Sequence, residues 1–557
     1  MAPWLLAGAS CVGSAVVATW PLALRLTTAV PRGTEREATI PLFSLWQLWW
    51  TADRLGHRLH GYLNAPIFFP NRGVTAYSEP MPALGALGAP LWGAGAPPAL
   101  IYNLVLLAVL TANGVFCYRL LRALRQPPGT AIAGAVLAVN LPFVGKVLGV
   151  LPNVALFGMF WALEGLVRFG DRGAPRWAAW AGAGVVVTWL SFQQYALFFT
   201  PLLVAGGLVA LAQQRFRRRA VLGLAGAGVA ALLVLVPVVL PALRVQSRFG
   251  PRPERLVRAL SARPADFLSR PSPGVAHVPP SSPADTAGLF PGFVLGTLAL
   301  LGAARWRRAE PRWTAFFALG ALTGALLALG LNLSLFGWRP FSMLRSLPGI
   351  AAVRSPYRAA AIFQLCLVPL AAGGLAVPGR RLSRRRDALV VGLVVVAVVE
   401  GLSLPPLVPV PASPRTAWTA WLRRQPPGSA VVHVPFPAGF TVGRYEIETR
   451  RMFAQIDHHQ PLVNGYSGYF PVARGGGRVV QAYLDFQARM ALSFPTDALL
   501  CVLANGLHAR LVAIDADWLA GHRGDVDAAS GFLHPAYQDD RVSIYRLEAP
   551  RERCDRA

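Results

Sequence analysis

Long apolar stretches, separated by short polar connections, fill most of the chain up to about residue 405. Each stretch is close to the length that an α-helix needs to cross a hydrocarbon core of roughly 30 Å. This pattern predicts a mainly α, polytopic membrane protein with about eleven transmembrane helices. The stretches fall near residues 4–24, 98–121, 130–147, 150–168, 177–193, 195–213, 220–243, 288–304, 313–333, 359–378 and 388–405.

A polar and aromatic segment, residues 27–97, separates the first apolar stretch from the second. Its tryptophans, prolines and glycines predict short helices at the membrane–water boundary, where amphipathic rings prefer to lie. Long loops without secondary structure of their own are usually functional or disordered. We therefore expect the membrane helices to form a scaffold that holds this loop.

Beyond residue 405 a proline-rich linker leads into a segment of ordinary polar content. Branched and aromatic residues predict strands at 430–435, 511–515 and 542–547, and the periodicity predicts helices at 416–424 and 478–491. The chain thus divides into a membrane domain, 1–405, that carries the long loop, and an α/β domain, 406–557.

Composition agrees with a membrane protein, because 54% of the 557 residues are hydrophobic and only 14% are charged, with a mean hydropathy of +0.44. Soluble domains average about 25% charged residues. In a soluble chain the net charge of +27 would suggest a nucleic-acid partner. Here the surplus is almost all arginine in short connections, which is the positive-inside pattern, so we expect no nucleic-acid partner.

The basic connections alternate along the chain, and all lie on one side if the N-terminus is cytoplasmic. The loop 27–97, two further loops at 246–287 and 332–357, and the α/β domain are then extracytoplasmic. The first stretch lacks a basic region before it and is followed by other spans, so we interpret it as a signal anchor. The basic connections lie near residues 119–125, 168–176, 215–219, 305–312 and 380–386.

Carboxylates of the first outer loop are the leading catalytic candidates, because removal of a proton from an acceptor hydroxyl needs a base at the membrane surface. Glu79 is the first choice, since it lies between Ser78 and Pro80 in a constrained turn. The alternative for any one of them is a solvent-facing loop carboxylate. The other candidate bases are Glu37, Glu35 and Asp53, and the candidate cavity residues are Trp49, Trp50, His57, Tyr77, Gln194 and Tyr195.

Arginines of the outer loops are candidates for binding a phosphate, because a guanidinium binds phosphate oxygens bidentately. Arg354 and Arg358 lie at the mouth of a predicted span, and Arg255 and Arg258 lie in an arginine-rich outer segment. The alternative for all four is contact with lipid headgroups at helix ends.

Metal and disulfide signals are weaker. His57 and His60 have the i, i+3 spacing that places two ligands on one helix face, but no third ligand follows at a defined spacing. We predict no structural metal, and a divalent cation remains an open alternative. Cys501 and Cys554 can pair if their domain is extracytoplasmic.

These features resemble the GT-C superfamily, the multi-spanning glycosyltransferases that use polyprenyl-phosphate sugars. The resemblance implies a lipid-linked donor, an outward-facing site and an acidic base in the first outer loop of a bacterial inner-membrane protein. It rests on Trp46-Gln47-Leu48-Trp49-Trp50, Asn64-Ala65-Pro66-Ile67-Phe68-Phe69-Pro70, Ala76-Tyr77-Ser78-Glu79, Tyr102-Asn103-Leu104, Ser191–Tyr195, Arg354-Ser355-Pro356-Tyr357-Arg358 and two stretches within 451–469.

One departure from the family matters. Many related sequences carry Gly-Asp-Pro before the tryptophan cluster, whereas this chain has Thr39-Ile40-Pro41. Either Glu37 or Glu79 takes the role of the missing aspartate, or the chain is catalytically altered.

The sequence therefore predicts sugar transfer from a polyprenyl-phosphate donor to a lipid, glycan or protein acceptor outside the cytoplasm, with membrane lipid around the protein. One alternative is a transporter or flippase of lipid-linked glycans. The other is a non-catalytic assembly protein whose terminal domain binds a partner.

Overall fold

A computed structural model describes residues 3–32, 37–270, 286–376, 383–402, 407–475 and 478–555. Its backbone forms two compact units that are interleaved in sequence. The membrane unit comprises Met1–Leu26, Pro31–Thr34 and Asn103–Pro409, and the second unit comprises Thr27–Val30, Glu35–Tyr102 and Val410–Ala557. The long first loop thus lies in the same unit as the C-terminal segment, while a division into contiguous domains at residue 405 stays a prediction.

Helices account for most of the described chain. In chain order they are α1 Pro3–Ala18, α2 Thr39–Gly56, α3 Pro82–Gly93, α4 Pro98–Ala123, α5 Pro128–Val139, α6 Pro142–Lys146, α7 Leu151–Val154, α8 Phe157–Arg172, α9 Pro175–Ser191, α10 Gln193–Gln213, α11 Arg218–Phe249, α12 Glu254–Ala259, α13 Phe293–Trp306, α14 Pro311–Leu329, α15 Pro340–Leu344, α16 Ala360–Leu375, α17 Ser383–Gly401, α18 Ala417–Arg423, α19 Glu446–His458, α20 Ala482–Ser493, α21 Asp497–Cys501, α22 Ala516–Ala528 and α23 Arg551–Cys554.

The strands are short. They are β1 Ala29–Pro31, β2 Pro409–Pro411, β3 Val431–Val434, β4 Ala473–Gly475, β5 Arg478–Val480, β6 Leu511–Asp515, β7 Leu533–Gln538 and β8 Val542–Leu547. Four of them form one mixed sheet in the order β3-β6-β8-β7. In it β3 and β6 run parallel, with Val431 opposite Leu511, and the other two pairs are antiparallel.

A helix lies along each of the eleven apolar stretches. Among the described residues, six helical segments are long and apolar enough to cross a membrane: Pro98–Ala123, Pro128–Lys146, Gln193–Gln213, Arg218–Phe249, Pro311–Asn332 and Pro356–Leu375. Shorter helices such as α8, with 16 residues, reach only about 24 Å. The chain is a multi-pass membrane protein, and the number of eleven spans stays a prediction.

Backbone groups between α5 and α8 need partners because the helical hydrogen-bond pattern is broken there, and no water is at hand inside a membrane. Gln364 Oε1 accepts a hydrogen bond from Phe143 N at 2.9 Å. The Asn113 amide donates to Val154 O at 2.8 Å and accepts from Leu156 N at 2.9 Å. These buried amides therefore have a structural role.

Glu164, a buried acid of the membrane unit, is also explained by its partners. It is fully buried and binds Arg119 at 2.8 Å and Arg168 at 2.7 Å. Trp180 Nε1 donates to the same carboxylate at 3.2 Å. A buried carboxylate with this set of donors is satisfied in place.

The second unit is built on the mixed sheet, whose central strands are buried because Val432, Val512 and Ile514 pack into its core. The strands lie within one residue of the predicted ones. The predicted helix 478–491 is wrong at its start, because residues 478–480 pair with β4 and α20 begins at Ala482.

The tryptophans of the first loop are buried within this unit instead of lying at a boundary. Trp46, Trp49 and Trp50 are only 3%, 6% and 6% exposed. Most of α2 is apolar and buried, so it needs packing partners on several sides. The C-terminal segment supplies them, and Trp46 Nε1 donates to Gln455 Oε1 of α19 at 2.9 Å.

Packing of α13 on α16 depends on glycine. A Cβ on Gly302 would lie 1.7 Å from Leu370 O, whereas a Cβ on Gly296 of the same helix would meet nothing within 4 Å. We expect Gly302→Ala to destabilise the protein by about 1–3 kcal/mol, because the two backbones must separate. Thermal unfolding in detergent measures this, with Gly296→Ala as the matched control. Equal melting temperatures for the two variants would contradict the close approach.

Candidate active site

A narrow cleft lies in the second unit along one side of α2, and its cavity volume of about 10 Å³ is room for about one water molecule. The helix contributes aromatic rings, an amide and a hydroxyl, and the following loop closes the other side. The lining residues are Phe43, Trp46, Gln47, Trp50, Thr51, Tyr62, Ile67, Val74, Thr75, Ser78, Pro80, Met81 and Ser467.

Hydrogen bonds to one carbonyl hold the loop against α2. Trp50 Nε1 and Thr75 Oγ1 each donate to Tyr62 O at 2.8 Å. Thr51 reaches into the cleft where α3 approaches closely, since a Cβ on Gly85 would lie 2.4 Å from Thr51 Cβ. The walls of the cleft are therefore fixed by the backbone of the loop and not by side chains alone.

The lining chemistry is neutral. Aromatic faces alternate with hydroxyl and amide groups, and every lining residue in this described region is uncharged. Pockets of this composition bind uncharged ligands through apolar contact and a few placed hydrogen bonds. The lining of the cleft therefore offers neutral hydrogen-bonding groups and aromatic faces around a small space.

Glu79 is the predicted base that the structure places beside the cleft. Its chain neighbours Ser78 and Pro80 both line the cleft, and its backbone oxygen accepts a hydrogen bond from Gln47 Nε2 at 3.3 Å. The residue is half-buried. Glu79 therefore lies at the rim of the neutral pocket.

The other predicted bases lie elsewhere. Glu37 precedes α2 and packs over Gly443, where an added Cβ would be 2.7 Å from its Oε1. Phe43, the first lining residue on α2, follows six residues later, about 9 Å along a helix. Asp53 pairs with Arg54, whose Nε lies 2.7 Å from Asp53 Oδ2. Glu35 lies outside the described residues.

Of the predicted cavity residues in this unit, Trp50 lines the cleft. Trp49 packs behind it against His459, with ring centroids 5.4 Å apart. Tyr77 is buried, and its carbonyl accepts a hydrogen bond from Tyr469 N at 2.9 Å. His57 is 62% exposed at the end of α2.

The expected helical spacing of His57 and His60 is wrong. α2 ends at Gly56, and Arg58 and Leu59 have positive φ angles of 54° and 62°, so the two imidazoles follow the helix in turns. The described part of the chain holds no cluster of three His, Cys, Asp or Glu residues that fits a metal ion. The described residues therefore offer no such cluster for the divalent cation left open by the sequence.

In the membrane unit, Arg358, a predicted phosphate-binding residue, lies beside Gln194, a predicted cavity residue. Arg358 Nη1 donates to Gln194 Oε1 at 3.2 Å, and its guanidinium lies 5.4 Å from the Phe192 ring. Tyr195 OH donates to Asn153 O at 2.6 Å. Gln194 thus orients Arg358, while Tyr195 supports the backbone nearby.

The remaining arginines lie nearer to solvent. Arg354 is half-buried four residues before Arg358. Arg255 and Arg258 lie on α12 and are exposed. Their predicted contact with a phosphate stays a prediction.

A buried ionic cluster that the sequence analysis missed lies below the carboxyl ends of β3 and β6. Arg451 binds Glu448 at 3.0 Å and Asp515 at 3.0 Å. Asn464 Nδ2 donates to the same Glu448 oxygen at 3.1 Å. Burial raises the pKa of Glu448 to about 7, although Arg451 opposes the shift. The i, i+3 spacing of Glu448 and Arg451 was the available signal.

Two imidazoles lie in the same unit. Desolvation lowers the pKa of His458 to about 3 and holds that of His433 well below its usual value, so both rings are neutral. The ring of Trp418 lies 5.6 Å from that of His433. These histidines belong to the core.

Comparison with known proteins gives the fold. No family model matches the chain, and no curated protein matches it. The arabinofuranosyltransferase AftD from Mycobacteria, solved by cryo-EM, aligns with 97% of this chain at 16% identity and a TM-score of 0.52. The chain shares the fold of this glycosyltransferase, which confirms the resemblance to the GT-C superfamily for the fold. The match covers 41% of AftD, so this chain spans less than half of that protein.

Two further structures are similar at lower scores. The oligosaccharyltransferase AglB from Archaeoglobus fulgidus, in complex with an inhibitory peptide and a dolichol-phosphate, has 12% identity and a TM-score of 0.48 over 99% of this chain and 74% of its own. ArnT from Cupriavidus metallidurans in the apo state has 12% identity and a TM-score of 0.47 over 98% of both chains.

The Glu448 carboxyl makes the stability of the second unit depend on pH. Its pKa in the folded state is about 7 against 4.5 in a model compound. The folded protein therefore holds this proton more tightly, so the stabilisation is complete below pH 4.5 and is lost as pH rises through 7. The loss amounts to about 3 kcal/mol.

We expect Glu448→Gln to flatten the fall in melting temperature between pH 5 and pH 8, since glutamine resembles the protonated acid. Asp485→Asn, at an exposed position of α20, serves as the control and keeps the wild-type slope. An unchanged slope in Glu448→Gln would show that another group titrates.

Proposed function

We propose that this protein is a membrane glycosyltransferase that moves a sugar from a polyprenyl-phosphate donor to a lipid, glycan or protein acceptor outside the cytoplasm. The observation that carries the proposal is a half-buried acid, Glu79, at the rim of a neutral cleft in a chain with a GT-C fold. Hydroxyl activation requires a base within hydrogen-bond reach of the acceptor, and Glu79 is the candidate carboxylate beside the cleft.

In the proposed reaction the acceptor hydroxyl attacks the anomeric carbon of the donor sugar. A new carbon–oxygen bond forms as the bond to the phosphate oxygen breaks, with inversion at that carbon. Glu79 takes the proton of the hydroxyl, and the bonding pair leaves with the polyprenyl phosphate. Glu37 is the second candidate base.

The departing phosphate needs positive charge near it. Arg358 is the first candidate because Gln194 holds its guanidinium at 3.2 Å. Arg354, Arg255 and Arg258 are the further candidates. Fixed donors lower the cost of reorganisation when charge develops, which supports an oriented arginine over a mobile one.

The groups that line the cleft are of the kind that contact a saccharide, and the cleft must open to admit a sugar ring. Rings such as Trp50 offer apolar faces to the C–H face of a sugar, while Thr51, Thr75 and Gln47 offer neutral hydrogen-bonding groups.

An extracytoplasmic position of the second unit is supported by a disulfide. Cys501 and Cys554 are bonded, with their Cα atoms 5.6 Å apart. Such bonds persist mainly in oxidising compartments. Together with the positive-inside pattern, this supports a bacterial inner-membrane protein with a cytoplasmic N-terminus.

A non-catalytic assembly protein is the alternative that a specific observation favours. Ile40, in the first turn of α2, stands where related sequences carry an aspartate, and isoleucine cannot act as a base. The flippase alternative has less support, since buried amides such as those of Asn113 and Gln364 are hydrogen-bonded to backbone groups.

The decisive experiment measures transfer from radiolabelled polyprenyl-phosphate sugars to membrane extract by purified protein in lipid. We expect Glu79→Gln to lower the rate by about 10²–10⁴-fold, the usual contribution of a general base. Asp485→Asn is the control. If Glu79→Gln and Glu37→Gln together leave transfer unchanged, the assigned base is wrong, and binding without transfer by the wild type would favour the assembly protein.

A second measurement addresses the phosphate. We expect Arg358→Ala to weaken binding of the polyprenyl-phosphate donor by roughly 10–100-fold, because hydrogen bonds to charged groups contribute about 1.5–3 kcal/mol. Equilibrium binding in detergent measures this, and Arg219→Ala, on a predicted cytoplasmic connection, is the control. Equal affinities for the two variants would remove Arg358 from the donor site.

A further inference from the structure

One helix of the membrane unit marks the level of the lipid headgroups. α11 has 32 residues and is about 48 Å long, so it exceeds a hydrocarbon core of roughly 30 Å. Only 6% of its most apolar window is buried, so its sides face lipid. The last strongly exposed apolar residue is Leu240, at 45%, and the exposed arginines Arg244 and Arg248 follow.

The loop between α14 and α16, residues 333–350, is tied to that end of α11. Gly349 N donates to Gln246 Oε1 at 2.9 Å, and Arg252 N donates to Ala351 O at 3.0 Å. Arg345 binds Glu254 at 3.1 Å. The loop is therefore held at the same level as the arginines that end α11.

The 333–350 loop presents large apolar side chains outward. Leu335 and Trp338 exchange two backbone hydrogen bonds of 2.8 and 3.0 Å, which fixes a hairpin with Phe336 at its tip. Phe336 is fully exposed, Trp338 is 53% exposed and Met343 is 63% exposed. Full burial of one such side chain is worth about 1.5–3 kcal/mol, so a cluster in water is costly.

Exposed arginines lie in the loop and on the segment to which it is tied. Arg339 is exposed in the loop, and Arg244, Arg255 and Arg263 are exposed on the adjoining segment. The acids there are Glu254, which pairs with Arg345, and Asp266, which accepts a hydrogen bond from Arg263 N at 2.7 Å. The surface thus combines exposed apolar side chains with a net positive charge. This combination is typical of protein segments that insert into the interface of anionic membranes.

We propose that the 333–350 loop is an interfacial anchor that inserts Phe336 and Trp338 among the acyl chains and headgroups of the leaflet beside α11. Arg244 and Arg263 of the adjoining segment bind phosphates of anionic phospholipids. The level set by α11 and the match of charge favour lipid over a protein partner or a second copy of the chain. This inference does not depend on the proposed sugar transfer.

The test labels Phe336→Cys with an environment-sensitive dye in vesicles of phosphatidylcholine with or without phosphatidylglycerol. Among the described cysteines the three free ones, Cys11, Cys117 and Cys366, are buried, so labelling is selective. Leu492→Cys is the matched control, because Leu492 is an 86% exposed apolar residue of the second unit.

We expect the dye at position 336 to be blue-shifted and strongly quenched by shallow spin-labelled lipids, more so with phosphatidylglycerol, and the dye at position 492 to stay water-exposed. The combined variant Arg244→Gln and Arg263→Gln should remove most of the phosphatidylglycerol effect. Water-like emission at 336, cross-linking of two copies through it, or protection by a soluble protein with no lipid quenching would each overturn the proposal.

Discussion

The amide of Gln455 is the interaction on which the second unit depends. It is fully buried, accepts from Trp46 Nε1, and donates to Pro66 O at 2.6 Å and Gln460 O at 2.9 Å. One side chain of α19 thus fixes the rotation of α2 and the path of the loop that closes the cleft. A buried amide that lost one of these partners would leave an unsatisfied group at a cost of about 1–3 kcal/mol.

Sequence patterns gave the helices and the central strands because each is set by local apolar spacing. The stretch at 220–243 became α11, and the strand at 511–515 became β6 with the same bounds. The burial of Trp46 could not be predicted from the local sequence, since its hydrogen-bond partner Gln455 lies 409 residues away in the chain. No local periodicity encodes a contact at that distance.

At the candidate site, too, local features could be predicted from the sequence and long-range packing could not. Glu79 was singled out by its turn, and the structure places that turn at the rim of a cleft. The lining by Gln47 and Thr51 was not foreseen, because it follows from how α2 rotates against the loop. The helical spacing expected for His57 and His60 is wrong because both residues follow the last turn of α2.

The interleaving of the two units has a consequence for synthesis. The first loop leaves the ribosome early, but the chain that supplies Gln455, Asn464 and Ser467 comes after all the apolar stretches. Domains generally fold as units while the chain is made, yet α2 must wait with its tryptophans uncovered. An interrupted translation product can insert its helices and still lack the pocket, so the cleft is complete only when the chain has been made at least as far as Ser467.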